Sequence, residues 1–143
     1  MNTMTTRAAG SERNAAMTRR RLRVVAIGAA IVVNLLILAT SRLFSGDFPA
    51  ASVGNDDRTI GFADVAIVTL AVGLVAWGLL ALLERITQRG RAIWLSGAVA
   101  VLAFSLLGPL AGVDTASKLT LAALHIGAAA VIVPLMLATS RRR

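Results

Sequence analysis

One histidine, seven acids and no cysteine leave this chain of 143 residues few groups that could do chemistry. The missing cysteines remove disulfides, thiolate nucleophiles, iron–sulfur clusters and CxxC redox chemistry together, and with them a quinone-coupled thiol oxidoreductase. A metal site needs several imidazole, thiolate or carboxylate ligands, and His125 alone cannot supply them. Haem held by a histidine pair fails on the same count unless two copies meet at that position. No nucleophile–base pair or phosphate-cradling loop stands in a credible context. The sequence therefore predicts a non-enzymatic protein with no catalytic residue, no cofactor and no metal.

What remains is a set of hydrogen-bonding side chains inside long apolar stretches: Asn34, Thr69, Ser105 and His125. Asn34 lies eight residues before Arg42, about 12 Å in at ~1.5 Å per helical residue, and His125 lies seven past Lys118, about 10 Å in. Thr69 and Ser105 come out at about 8 Å and at most ~13 Å on the same ruler. Four segments thus each bring one polar group to a shared layer near one surface. Small residues flank three of them at helical spacing: Ala66 and Gly73 beside Thr69, Ala98 and Gly108 beside Ser105, Ala122 and Ala129 beside His125. Such residues let helix backbones approach closely in a bilayer. The expected arrangement is a buried network joining Asn34 to His125, with Thr69 and Ser105 as further members. One reading makes the layer structural, since interhelical hydrogen bonds fix register. The other makes it a ligand or proton site, because an ionisable residue within a membrane is a functional candidate. A histidine with no carboxylate partner in the spans favours the structural reading.

The segments that carry these groups define the fold class. Hydrophobic residues make up 57% of the chain and charged ones 15%, with a mean hydropathy of +0.76. A soluble domain carries about a quarter charged residues. Here the charges gather in blocks between four apolar runs, about 24–41, 65–83, 92–110 and 119–138. Each run approaches the ~20 residues that cross a ~30 Å hydrocarbon core. None alternates with a period of two, so a β-barrel is excluded. The expectation is an all-α, integral membrane four-helix bundle occupying residues 24–140. A net charge of +8 could suggest nucleic acid, but the basic residues stand at span ends and aromatics make up only 4%.

Short-loop arginines set the orientation. Twelve basic residues fall on one side: Arg7, Arg13, Arg19, Arg20, Arg21, Arg23, Arg85, Arg89, Arg91 and the three arginines at 141–143. The other side has Arg42, Arg58 and Lys118 with five aspartates. Both termini are expected in the cytoplasm of a bacterium, with the chain in its inner membrane. Residues 1–23 read as a disordered basic tail and 141–143 as a basic end. Met17 directly precedes the arginine block and could itself be the start. The arginines at 19–21 faintly resemble a twin-arginine signal, yet Asn34 interrupts the apolar run and no small-x-small cleavage site follows, so an uncleaved helix is expected.

Between the spans, Gly46-Asp47-Phe48-Pro49 and Asn55-Asp56-Asp57 read as turns. Asp64 and Asp114 are placed to cap the second and fourth helices, and Gly108-Pro109 to end or kink the third. Trp94 is expected as an interfacial anchor, and Glu84-Arg85 as a solvated helix end. Gly108 and Gly112 have GxxxG spacing with Pro109 between them, and Ala123 with Gly127 offers a small-xxx-small pair. Expected partners are the lipid bilayer and either further copies or other membrane proteins, not nucleic acid.

Three stretches carry a family resemblance: Gly73-Leu74-Val75-Ala76-Trp77-Gly78-Leu79-Leu80-Ala81-Leu82-Leu83-Glu84-Arg85, then Leu106-Leu107-Gly108-Pro109-Leu110, then Leu124-His125 with Pro134 beyond. From about Val24 to Leu137 the chain resembles an uncharacterised group of actinobacterial four-pass membrane proteins, a domain of unknown function. The resemblance implies a fold and an inner-membrane address and no activity. The first outer loop matches least. The function expected is that of a small accessory or envelope-associated protein. The rivals are a small transporter or channel subunit with a polar site around His125 and Asn34, and a protein that binds a lipid in a groove between helices. A pocket opening beside His125 would favour the rivals.

Overall fold

The structure, a computed structural model, describes residues 3–53 and 56–140. Four helices, all long and apolar enough to cross a membrane, pack as a bundle. They are α1 (Thr3–Ser45), α2 (Phe62–Ile86), α3 (Gly90–Ser105), which reaches spanning length together with the 3-10 turn as Gly90–Ala111, and α4 (Thr115–Ala138). A hairpin of β1 (Ala50–Val53) and β2 (Asp56–Thr59) joins α1 to α2, and a 3-10 turn at Gly108–Ala111 joins α3 to α4. α1 packs most extensively on α4 and next on α2, whereas α3 lies against α2 and less closely against α4.

α1 is one helix of 43 residues from Thr3 and so takes in most of the stretch expected as a disordered tail. Ala and Arg supply ten of residues 3–23, and both are good helix formers. A span already wound in the membrane also removes the nucleation cost that would leave an isolated segment unwound. The helix ends at Gly46, whose φ of +81° suits a residue without a side chain. Its N–H still donates to the Arg42 carbonyl at 2.9 Å.

Two apolar clusters stack along the bundle. One joins Ala26, Ile27, Ala30, Leu80, Trp94, Ile132 and Met136. The second joins Leu38, Val65, Leu121 and Leu124, with Phe48, Ala51 and Ile60 of the hairpin region seated on it. Lipid tails are as apolar as these side chains, so close packing rather than escape from water holds such helices together. Glycines provide the closeness. A Cβ on Gly73 would stand 2.9 Å from Ile27 Cγ1, and one on Gly90 only 2.7 Å from the Leu83 carbonyl.

The hairpin forms a lid over the second cluster. Val113 N–H donates to the Ala50 carbonyl at 3.2 Å, Ala50 N–H to Ser117 Oγ at 3.1 Å, and Ile60 N–H to the Pro49 carbonyl at 2.8 Å. Phe48 and Phe62 meet edge to face at 5.3 Å, and the Arg42 guanidinium lies 4.1 Å above the Phe48 ring. The Asp64 carboxylate accepts from Gly61 N–H at 3.0 Å and from Arg58 Nη2 at 2.7 Å. Asp114 caps α4 by accepting from Ser117 N–H at 2.7 Å. Of the second turn expected in this loop, Asn55 lies outside the described residues; Asp56 and Asp57 open β2.

Candidate functional site

Of the four residues expected to form one polar layer, the structure joins two. Asn34 Nδ2 donates to Thr69 Oγ1 at 3.0 Å, tying α1 to α2, and the two residues are 3% and 5% exposed. The other amide atom, Asn34 Oδ1, is buried with no hydrogen-bond partner among the described residues. It faces Gly127 of α4, where an added Cβ would sit 3.1 Å from it.

The expected Asn34–His125 bond is absent, and helix geometry gives the reason. Gly127 is the α4 residue turned toward Asn34, and His125, two positions earlier, points about 200° away round the helix. The half-buried imidazole is satisfied on its own helix, with Nδ1 2.7 Å from the Leu121 carbonyl. A carbonyl only accepts, so Nδ1 bears a proton and donates it there. Ser105 Oγ likewise donates within its own helix, to the Leu102 carbonyl at 2.8 Å. The layer is one interhelical tie plus two self-satisfied side chains.

A groove runs between the hairpin-side parts of α1 and α4, lined by Ile37, Ser41, Phe44, Leu119, Thr120 and Ala123 among others. His125 is not part of it; Ala123, which is, lies about 200° round α4 from the histidine. The polar atoms at its base are engaged with one another. Thr120 Oγ1 donates to the Ala116 carbonyl at 2.8 Å, so Ser41 is the donor in the 2.5 Å Ser41–Thr120 contact.

The densest polar cluster stands at the other end of the bundle, where the sequence pointed only to flanking charge. Arg23 Nη2 lies 3.0 Å from both carboxylate oxygens of Glu84, and the side chains are 7% and 13% exposed. Arg23 Nε donates to Thr139 Oγ1 at 3.2 Å, and that hydroxyl donates to the Met136 carbonyl at 2.9 Å. Three helices, α1, α2 and α4, meet in this chain of bonds. Glu84 is thus no solvated helix end. The helix register level with Arg23 turns it inward, and burial then demands the charged partner. The available signal was that Glu84 is the only acid in residues 13–23 and 84–91, beside the basic residue nearest the first span.

Trp94 also departs from expectation. It is 2% exposed, and its indole N–H donates to the Ala76 carbonyl at 2.9 Å. Gly90 lets the start of α3 press on the Leu83 backbone, and one turn later Trp94 is carried into the core rather than out to the interface. Among the described residues no three His, Cys, Asp or Glu side chains come together as a metal site would require.

Fold and polar interior together define a small polytopic membrane protein whose buried polar groups largely serve to hold its helices. Within that class the chain belongs to DUF6069, a family of unknown function, whose model matches residues 14–142. No curated protein and no solved structure matches it.

Proposed function

We propose that this chain is a small, non-enzymatic accessory protein of a bacterial cytoplasmic membrane, with both termini on the cytoplasmic side. The observation that supports it is how the polar groups within the spans and at their ends are used. Asn34 holds Thr69, Arg23 holds Glu84 and Thr139, Trp94 holds Ala76, and His125 and Ser105 bond their own helices. A transporter calls for membrane-embedded charge or a broken helix along a path. Here the one buried ion pair among the described residues stands at the span ends and ties helices together, and the groove does not reach His125. The arginine asymmetry supports the orientation. The resemblance of the landmark stretches supports an actinobacterial-type envelope.

Proton flux into vesicles reconstituted with the purified chain tests the role. Flux at the level of protein-free vesicles, unchanged by His125→Leu, is expected. Flux that falls on His125→Leu or Asn34→Leu overturns the reading in favour of a transporter or channel subunit. The cysteine-free sequence makes sidedness direct to measure. A membrane-impermeant maleimide applied to intact cells should label Arg58→Cys and spare Thr18→Cys, and the reverse pattern inverts the topology.

A further inference from the structure

Six arginines ring the end of the bundle that holds the Arg23–Glu84 pair. Arg19, Arg20 and Arg21 precede the first span, and Arg85, Arg89 and Arg91 surround the turn between α2 and α3. Arg19 is half-buried and the other five are exposed. Among the described residues none of their side chains has a hydrogen-bond or ion-pair partner. The one acid in residues 13–23 and 84–91, Glu84, is engaged with Arg23. So concentrated a set of guanidinium donors, unengaged among the described residues, is available to anions from outside the chain.

Depth identifies the source of those anions. The headgroup layer is about 5–7 Å thick on each side of the hydrocarbon. Arg19 to Arg21 lie three to five residues before Val24, which is roughly 4–8 Å at 1.5 Å per residue. The α2–α3 turn is too short to leave that layer, because α2 ends at Ile86 and α3 starts at Gly90. Arg23 bonding to Glu84 sets the two arginine groups level with each other. Arg19, Arg20 and Arg21 also fan over about 200° of α1, since successive residues step by about 100°. A single docked acidic protein would need them on one face, whereas lipids surround the helix.

We propose that these six arginines form a collar that binds the phosphates of anionic phospholipids in the adjoining leaflet. The proposal holds whichever side that leaflet faces, so it stands independently of the accessory role. Arg13 is a built-in control. It is exposed on the same helix but about 16 Å from Val24, beyond headgroup reach.

The test is native mass spectrometry and thermal unfolding of the purified full chain in mild detergent, with phosphatidylglycerol or phosphatidylcholine added at equal mole fraction. Phosphatidylglycerol should be retained and should raise the unfolding temperature more than phosphatidylcholine does. That difference should shrink between about 0.1 M and 1 M salt, as the screening length falls from ~10 to ~3 Å. An arginine near an anionic surface is worth roughly a factor of five in binding. The Arg85→Gln/Arg89→Gln/Arg91→Gln variant should therefore retain the lipid on the order of a hundredfold more weakly. Arg13→Gln should bind as the wild type does. Arg19→Gln/Arg20→Gln/Arg21→Gln gives a second route if the first variant does not fold, as judged by its unfolding in phosphatidylcholine. Equal retention of the two lipids, undiminished retention by the triple variants, or an equal loss in Arg13→Gln overturns the proposal. A larger shift from polyglutamate than from phosphatidylglycerol overturns it in favour of an acidic protein partner.

Discussion

Neutralising Glu84 separates a buried structural ion pair from a solvated helix end. In Glu84→Gln the shape is kept and the charge is lost, so the Arg23 guanidinium, in a side chain 7% exposed, is left without its carboxylate. Breaking a buried pair from one side costs about 3–5 kcal/mol, because an uncompensated charge remains. Glu84 is 13% exposed at the edge of the bundle, which places the cost near the lower bound, at about 3 kcal/mol. With ~2–4 °C per kcal/mol for a chain near this size, the unfolding temperature should fall by roughly 6–12 °C. Arg23→Met breaks the same pair from the other side and should cost less, since Glu84 keeps a further interaction. The double variant Arg23→Met/Glu84→Gln removes both charges of the pair and should lose clearly less than the sum of the two single variants. The assay is thermal unfolding in one mild detergent, followed by the fluorescence of Trp94 and Trp77, which lie in and against the apolar cluster nearest this pair. Single variants within ~1 kcal/mol of wild type, adding up in the double, are what an exposed pair gives. That result would refute the burial reasoning and restore the solvated helix end.

Asn34 and Thr69 should respond with opposite signs. Thr69→Val strands both amide atoms of Asn34 and should destabilise by ~1–2 kcal/mol, while Asn34→Leu trades a bond of ~0.6 kcal/mol for relief of an unpaired acceptor and should be neutral or stabilising by up to ~1 kcal/mol. Chemical unfolding in mixed micelles resolves the two. Gly90→Ala forces a Cβ to 2.7 Å from the Leu83 backbone and should cost about 2 kcal/mol. Gly97→Ala meets nothing within 4 Å and should gain up to ~1 kcal/mol of helix propensity, read by the same titration. His125→Leu removes no interhelical bond and should leave the unfolding temperature within ~4 °C of wild type; a larger fall would show that the imidazole ties two helices.

The spans were legible because runs such as Val65–Leu83 are apolar over the thickness of a bilayer, a property of composition alone. Depth was legible too, since residue count converts to distance along a helix, and it brought Asn34 and Thr69 to one level. Rotation was not. Two residues of offset turn His125 away from Asn34, and no local pattern fixes how far a helix is turned against its neighbours when every face is apolar. The same gap hid Glu84 and Trp94, each judged from its nearness to a span end when its direction decided its partner. The hairpin escaped notice because Ala50–Val53 and Asp56–Thr59 are four residues each, without the alternation that marks a half-buried strand. Contacts to Gly112, Val113 and Ser117, far off in sequence, help to hold it.

The most extensive helix pairing joins α1 to α4, the first and last helices to be made. At ~5–20 residues per second, roughly 5–20 s separate synthesis of Ser45 from that of Ala138. During that interval α1 lies in the bilayer with the face that will take α4 still against lipid, and Arg23 can gain Glu84 before Thr139 exists. The second apolar cluster and its hairpin lid also wait, since Leu121, Leu124 and Ser117 all arrive with the final helix. Assembly therefore closes in one late step, and a chain stalled before residue 115 would expose the interior of a bundle that has only its first half of contacts.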